Sequence, residues 1–367
     1  MTFPEKWKDL KVVLSHDWLT GMRGGERVLE ILCNGFPSAD VYTLIHNREA
    51  ISEDINSHPV TTSWLQSLPG VSKYYRNLLP LFPRAIESMK TPEADLIIST
   101  NHCVAKGLIA QPGTKHLCYC FTPMRYAWTF FDEYFGSSPV KSALARPILP
   151  AMRKWDKQSA SRVDQFVAIS EHIEDRISRF YERDSKIVYP PVNTDYWTPG
   201  QQEQGDFDLV LSAMVPYKRV DLAIEAYNKL GRKLKVVGIG GELSKLKAMA
   251  KDNIEFLEWQ SDEDILNLYR SCNMLIFPGE EDFGIVPLEV QACGKPVVAY
   301  AKGGALETVV DGVSGIHFED QSTESLIEAV KKCTSSDWDP AAIRMNAETF
   351  SNQNFIDNLA AVIDKLF

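Results

Sequence analysis

Met274-Leu275-Ile276-Phe277-Pro278-Gly279-Glu280-Glu281-Asp282-Phe283-Gly284-Ile285-Val286-Pro287-Leu288-Glu289 reads as a buried strand, a tight turn and the opening of a helix. The run Met274–Phe277 is continuously apolar, as suits a parallel strand covered on both faces. Gly279 and Gly284 permit close backbone approach, and a helix over Val286–Ala292 leaves free N–H groups facing the turn. Glu281 and Glu289 stand 289 − 281 = 8 residues apart. Carboxylates accept hydrogen bonds and suit a hydroxyl-rich ligand such as a ribose or a hexose. A first helical turn that merely complements the helix dipole would explain Glu281 alone, not the whole string.

Similar apolar runs recur outward from this one. They are Val12–Ser15, Val41–Ile45, Leu96–Ser99, His116–Cys120, Phe166–Ile169 and Ile187–Tyr189, then Leu209–Leu211, Leu234–Val237, Ile254–Leu257 and Val297–Tyr300. Helical spacing falls between them at Glu26–Asn34, Glu171–Tyr181, Val220–Leu230, Asp262–Arg270 and Ser325–Lys332. Strand–helix alternation in both halves predicts an α/β chain of two Rossmann-like, doubly wound domains. The 367 residues agree, at about 150 per domain. Tyr189-Pro190-Pro191-Val192-Asn193-Thr194-Asp195 marks the boundary. The expected organisation is 1–190, a linker 191–205, a second domain 206–340 and a C-terminal helix 341–367 that returns to the first domain. Ligands of such sheets bind beyond the carboxyl ends of the strands, so a site is expected in the loops there, near an interdomain cleft.

The formal charge is 39 − 49 = −10, which argues against a nucleic-acid binder. The charge is uneven. Positions 196–367 carry 16 basic and 27 acidic residues, whereas positions 71–162 carry 13 and 6, a local +7. The seven cysteines form no CxxC pair and read as buried, reduced thiols. No signal-like or membrane-spanning apolar stretch is read, so the expected location is the cytoplasm. Lys73-Tyr74-Tyr75-Arg76 through Arg84, and Lys141 through Lys157, mix cations with aromatics. They suit either an anionic membrane surface or a lipid-diphosphate acceptor, or else are helices covering the sheet with their cations in water.

Glu-Asp-Phe-Gly-Ile-Val-Pro-Leu-Glu at 281–289 resembles the Glu-x7-Glu motif of retaining family-four glycosyltransferases of the two-domain GT-B fold, their domains facing across a cleft. The likeness runs along nearly the whole chain. It includes Ser15-His16-Asp17-Trp18-Leu19 with Gly24-Gly25-Glu26, Tyr189–Asp195, Ser212–Asp221 and Gly303–Val309. Cys118 through Trp128 resembles a segment of the mannosyltransferase-like, O-antigen and exopolysaccharide branch. The resemblance implies transfer of a hexose from a GDP- or UDP-sugar, GDP-mannose among them, to a glycan or polyprenyl-diphosphate-linked acceptor. It implies no cofactor and no obligatory metal. Glu289 would bind the ribose and Glu281 the donor sugar. Phe283, Gly284, Ile285 and Val286 would offer backbone N–H groups, and Lys218, with Arg219, would neutralise the diphosphate. Glu281 and Lys218 are the catalytic candidates. Gly24 and Gly25 would let the backbone approach the donor. His102, Arg125 and Tyr126 are acceptor-side candidates.

Three positions depart from the family pattern. Phe121 stands where a histidine is usual, Ala213 where an arginine is usual, and Thr129 where an aspartate is common. Phenylalanine cannot donate a hydrogen bond, and alanine cannot offset diphosphate charge. The alternative is therefore a degenerate homologue that serves another glycosyltransferase as a non-catalytic partner. Asp206-Phe207-Asp208 spells a metal-site pattern but precedes a strand, and reads as a polar strand entry. Gly238-Ile239-Gly240-Gly241 is not GxGxxG, which disfavours a nicotinamide dehydrogenase, and the Glu-x7-Glu string speaks against a sugar-nucleotide epimerase.

Overall fold

The computed structural model describes residues 1–129, 146–202 and 204–367. They divide into two compact units, Met1–Tyr189 with Ile356–Phe367, and Pro190–Phe355. The first unit is built on a parallel sheet of β1 (Val12–His16), β2 (Asp40–Thr43), β3 (Val60–Thr62), β4 (Leu96–Asn101), β5 (Lys115–Cys120), β6 (Gln165–Ala168) and β7 (Ser185–Ile187). Its order is β3-β2-β1-β4-β5-β6-β7. Helices α1 (Gly24–Gly35), α2 (Leu149–Ala160) and α3 (Glu171–Tyr181) accompany it. Every residue of β1 and β4 is buried, which is why these strands read as apolar runs without alternation.

The second unit repeats the plan with β8 (Phe207–Leu211), β9 (Lys233–Val237), β10 (Ile254–Glu258), β11 (Leu275–Phe277), β12 (Val297–Tyr300) and β13 (Gly315–Phe318), in the order β10-β9-β8-β11-β12-β13. Its helices are α4 (Val220–Leu230), α5 (Asp262–Ser271), α6 (Ile285–Ala292), α7 (Thr323–Ser335) and α8 (Pro340–Glu348). A last helix, α9 (Asn352–Ile363), begins in the second unit and ends in the first. In each sheet the strand order reverses beside the first strand, β1 or β8. That reversal is the switch point at which open parallel sheets accept ligands.

Several elements differ from the sequence reading, among them β7, which lies at Ser185–Ile187 and not at 187–189. β3 and β13 carry no apolar run. β3 is a short edge strand, and Gly315 sits inside β13 because a side chain there would meet the Val297 carbonyl at 2.0 Å. The helix expected over 341–367 is two helices. The chain turns at Thr349–Ser351, where the Phe350 carbonyl accepts the Val192 N–H at 2.8 Å. Asp339 caps α8 through the Ala341 N–H, with Pro340 in the first turn. The basic segment 73–84 forms 3-10 turns running into a short helix, Phe82–Glu87.

All seven cysteines are free and buried, and burial pushes the thiols of Cys33, Cys293 and Cys333 up to about 12. Among the described residues no helix is long and apolar enough to cross a membrane.

Candidate active site

In the second unit the loops after β8, β9, β11 and β12 interlock at one end of the sheet, and glycine makes each close approach possible. A Cβ on Gly279 would stand 2.9 Å from the Lys218 Cα. One on Gly238 would stand 1.9 Å from the Ser212 carbonyl, and one on Gly304 would lie 2.2 Å from the Phe283 Cα. The Gly304 N–H donates to the Glu281 carbonyl at 2.8 Å. The loop after β11 is thus held on one side by the loop carrying Lys218 and on the other by Gly303-Gly304.

This arrangement brings Lys218 and Glu281 together. The Lys218 ammonium pairs with Glu281 Oε1, and their side chains are 14% and 22% exposed. The same ammonium lies 5.3 Å from the centre of the Tyr217 ring. Gly284, at φ 89°, turns the chain into α6, whose first-turn N–H groups have no partner inside the helix. Glu289 lies within α6, and its Oε2 accepts the hydroxyl of buried Tyr269 at 2.9 Å. Phe283 is buried and packs edge-on against Phe350, at 5.8 Å between ring centres. Arg219 takes a left-handed backbone conformation at the start of α4. Its guanidinium donates to Asp221 at 3.2 Å and to Gln321 at 2.8 Å, and the Gln321 amide donates to the Pro278 carbonyl at 2.9 Å. Arg219 therefore ties the loops after β8 and β11 together. Ala213 is exposed at the start of its loop. Of the Asp-Phe-Asp triplet, Asp206 pairs with Lys233, while buried Asp208 accepts Arg232 and the Tyr227 hydroxyl.

In the first unit the strand ends gather around Asp17, which follows β1 and is fully buried. Its carboxylate accepts the backbone N–H groups of His102 at 2.7 Å, Cys103 at 3.0 Å, Val104 and Ala105 at 2.8 Å. The His102 Nδ1 lies 2.8 Å from the same carboxylate. Burial alone would raise the Asp17 carboxyl, but the charge and hydrogen bonds of His102 hold it well below the usual carboxylate range. The His102 side chain keeps 25% exposure, with Trp18 edge-on at 4.5 Å. His16 Nδ1 lies 2.7 Å from Thr100 Oγ1, and its Nε2 is 3.8 Å from buried Glu26. Burial raises the Glu26 carboxyl, and His16 pulls it below its ordinary value. Gly25 lets Phe121 lie close, because a Cβ there would be 3.2 Å from the ring, whereas Gly24 faces open space. Arg125 and Tyr126 open a short helix after β5, the strand beside β4.

Of the second basic segment, residues 141–145 lie outside the described residues. Arg153 donates to the Ala127 carbonyl at 2.6 Å and Trp155 donates inward to Glu87 at 2.8 Å, so both are structural anchors of α2. Reading from residues missed Asp17 as the partner of His102, and also Tyr269 and Gln321. The signal for Asp17 was a carboxylate placed directly after an all-buried strand. Its partners lie 85 to 88 residues away and are brought to it by the β1–β4 pairing.

Residues 22–196 match the family Glycosyltransferase Family 4, and residues 197–350 match Glycosyl transferases group 1. An uncharacterized glycosyltransferase of Methanocaldococcus jannaschii is 27% identical over 208 residues, 55% of this chain and 58% of that protein. D-inositol 3-phosphate glycosyltransferase of Mycolicibacterium smegmatis is 29% identical over 244 residues, 59% of this chain and 56% of that protein. The match thus spans little more than half the length of these relatives. Among solved structures, sucrose-phosphate synthase from Thermosynechococcus elongatus superposes with a TM-score of 0.73 at 16% identity, over 97% of this chain and 99% of that one. Anabaena HepE in complex with UDP gives 0.70 at 17%, over 97% and 100%. Two parallel sheets, each with its switch point, and these whole-chain superpositions make the two-domain α/β fold GT-B. With the two family matches following one another along the chain, its first part is similar to the Family 4 glycosyltransferases and its second to the group 1 glycosyl transferases.

Proposed function

We propose that this chain is a retaining glycosyltransferase that moves a hexose from a nucleotide sugar to a hydroxyl of a glycan or lipid-linked glycan, in surface-polysaccharide synthesis at the inner face of the cell membrane. The observation that carries the reading is the Lys218–Glu281 pair, set at the ends of β8 and β11 beside the start of α6. A donor diphosphate draws Lys218 and the first-turn N–H groups at Gly284, Ile285 and Val286 toward itself. They offset the charge that grows on the leaving oxygen. Glu281 accepts hydrogen bonds from sugar hydroxyls, and Glu289, oriented by Tyr269, accepts from the ribose. The bond from the sugar C1 to the phosphate oxygen breaks. The acceptor oxygen bonds to C1 on the same face, and its proton passes to the departing phosphate oxygen. In this reading the chain's own cation and N–H groups carry the phosphate charge without a metal.

The HepE structures contain UDP and UDP-glucose, which supports a uridine donor. The likeness of Cys118 through Trp128 to the mannosyltransferase branch supports GDP-mannose. Titration with UDP-glucose, UDP-galactose and GDP-mannose, followed by NMR assignment of the product's anomeric configuration, tests the reading. Inversion at C1 refutes retention. A second reading, a non-catalytic partner of another glycosyltransferase, is favoured by Phe121, whose ring fills the space over Gly25 where the family resemblance expects a histidine. Failure to bind any nucleotide sugar, together with stable association with another transferase, decides for it.

A further inference from the structure

Beside the Asp17–His102 pair the first unit carries a pocket of about 380 Å³, within the range of roughly 300–1,000 Å³ usual for small-molecule sites. Thr20 and Arg23 line one side and the turn of residues 72–77 lines the other. The pocket collects three cations, Arg23, Lys73 and Arg76, and no carboxylate. Among the described residues none of the three has an ion-pair partner. Arg23 also immediately precedes α1, where the positive end of the helix dipole disfavours a cation unless an anion is close. Lys73 and Arg76 belong to the locally basic stretch 71–162, and the Arg76 guanidinium lies 5.4 Å from the centre of the Tyr75 ring.

The remaining lining includes groups that can donate hydrogen bonds. The buried Tyr75 ring brings its hydroxyl to 3.2 Å from Thr20 Oγ1, and Ser72 and Asn77 add a hydroxyl and an amide. Tyr75 packs on Trp18 at 5.2 Å between ring centres, and Trp18 packs edge-on against His102. One indole therefore separates the basic pocket from the partly exposed imidazole.

We propose that this pocket binds a phosphate or diphosphate group carried by the acceptor, and so holds the rest of the acceptor next to His102. Assignment of the ligand as the acceptor rests on the glycosyltransfer reading, whereas the anion site itself does not. Arginine forks and a lysine point charge, joined by hydroxyl and amide groups able to donate and by no carboxylate, form a lining that matches a tetrahedral oxyanion. The three cations line one concavity, which favours a compact phosphoryl group over a membrane surface.

The test titrates inorganic pyrophosphate, at fixed ionic strength, into the unaltered protein, the double variant Lys73→Gln/Arg76→Gln and Lys218→Ala. Lys73 and Arg76 are exposed, so the double variant should keep its circular dichroism and melting temperature. The expected result is at least a tenfold loss of affinity in the double variant, with binding retained in Lys218→Ala. Loss in Lys218→Ala with none in the double variant assigns the pyrophosphate to the other unit and overturns the inference. Geranyl diphosphate binding more tightly than pyrophosphate identifies a lipid-linked source, and equal affinities identify a water-soluble phosphorylated one. If the double variant stops co-sedimenting with phosphatidylglycerol vesicles but binds pyrophosphate unchanged, the patch is a membrane contact and the inference fails. The titration needs neither donor nor turnover. Pyrophosphate binding through Lys73 and Arg76 without nucleotide-sugar binding would refute the glycosyltransfer reading and leave the anion site standing.

Discussion

The two units place charge at equivalent strand ends in opposite ways. After β1, Asp17 is sealed from solvent and saturated by four backbone N–H groups and an imidazole. After β8 and β11, Lys218 and Glu281 are partly exposed and serve as each other's ionic partner among the described residues. A carboxylate with every lone pair occupied is framework, since it has nothing left to offer a ligand. A solvent-touched ion pair can exchange its partner for a diphosphate or a hydroxyl at small cost. The first cluster holds a histidine still, and the second holds an ion pair loosely within a cradle of glycine contacts.

The largest test of this contrast is Asp17→Asn. It removes a buried charge from several donors, and should destabilise the protein by about 3–5 kcal/mol in chemical denaturation. The Asp17 carboxyl is depressed in the folded state, so its contribution is present above the unfolded carboxylate pKa and is lost as pH falls. The gap between variant and parent should therefore narrow below about pH 4. A variant as stable as the parent at neutral pH would mean that Asp17 is not framework.

Lys218→Ala should do the reverse. Its melting temperature should hold while transfer falls by about 2.7–4 kcal/mol of transition-state stabilisation, read from kcat/KM. Equal activity would remove the lysine from the reaction. Gly279→Ala tests the cradle. Its methyl group would press on the Lys218 backbone, with about 1–3 kcal/mol of overpacking strain. Donor affinity measured by calorimetry should drop roughly tenfold, and an unchanged affinity would show that the loops tolerate slack. The smallest effect is expected for Tyr269→Phe, which removes one hydrogen bond to Glu289. A loss of about 0.5–1.5 kcal/mol in nucleotide affinity corresponds to one ordinary hydrogen bond.

Legibility in the sequence followed the range of the interactions. Helices α3 and α4 agree with the spacing residue for residue, because each is governed by its own amphipathic pattern and, in α3, by a Ser170 cap. The central strands were legible because burial on both faces leaves a run of apolar residues. β3 was not, because Val-Thr-Thr at an edge is half solvated, and β13 was not, because Gly315 and His317 interrupt its apolar pattern. At the candidate site, Glu281, Gly284 and Glu289 lie within one short string, so a local motif exposed them. The Lys218–Glu281 contact, the saturation of Asp17 and the diversion of Arg219 to Asp221 and Gln321 depend on neighbours brought together by the sheet. No local pattern encodes those.

The chain passes between its two units twice, at Tyr189–Pro190 and again inside α9. The second unit is thus an insertion within the first. The strands entering and leaving it are clasped where Val192 bonds Phe350 and bridges Ser351. For a protease this means that a cut at either crossing opens the backbone without freeing a fragment. A protein nicked once near residue 190 should run as two bands under denaturing conditions and as one particle in native solution, with the loops after β8 and β11 still tethered to the rest.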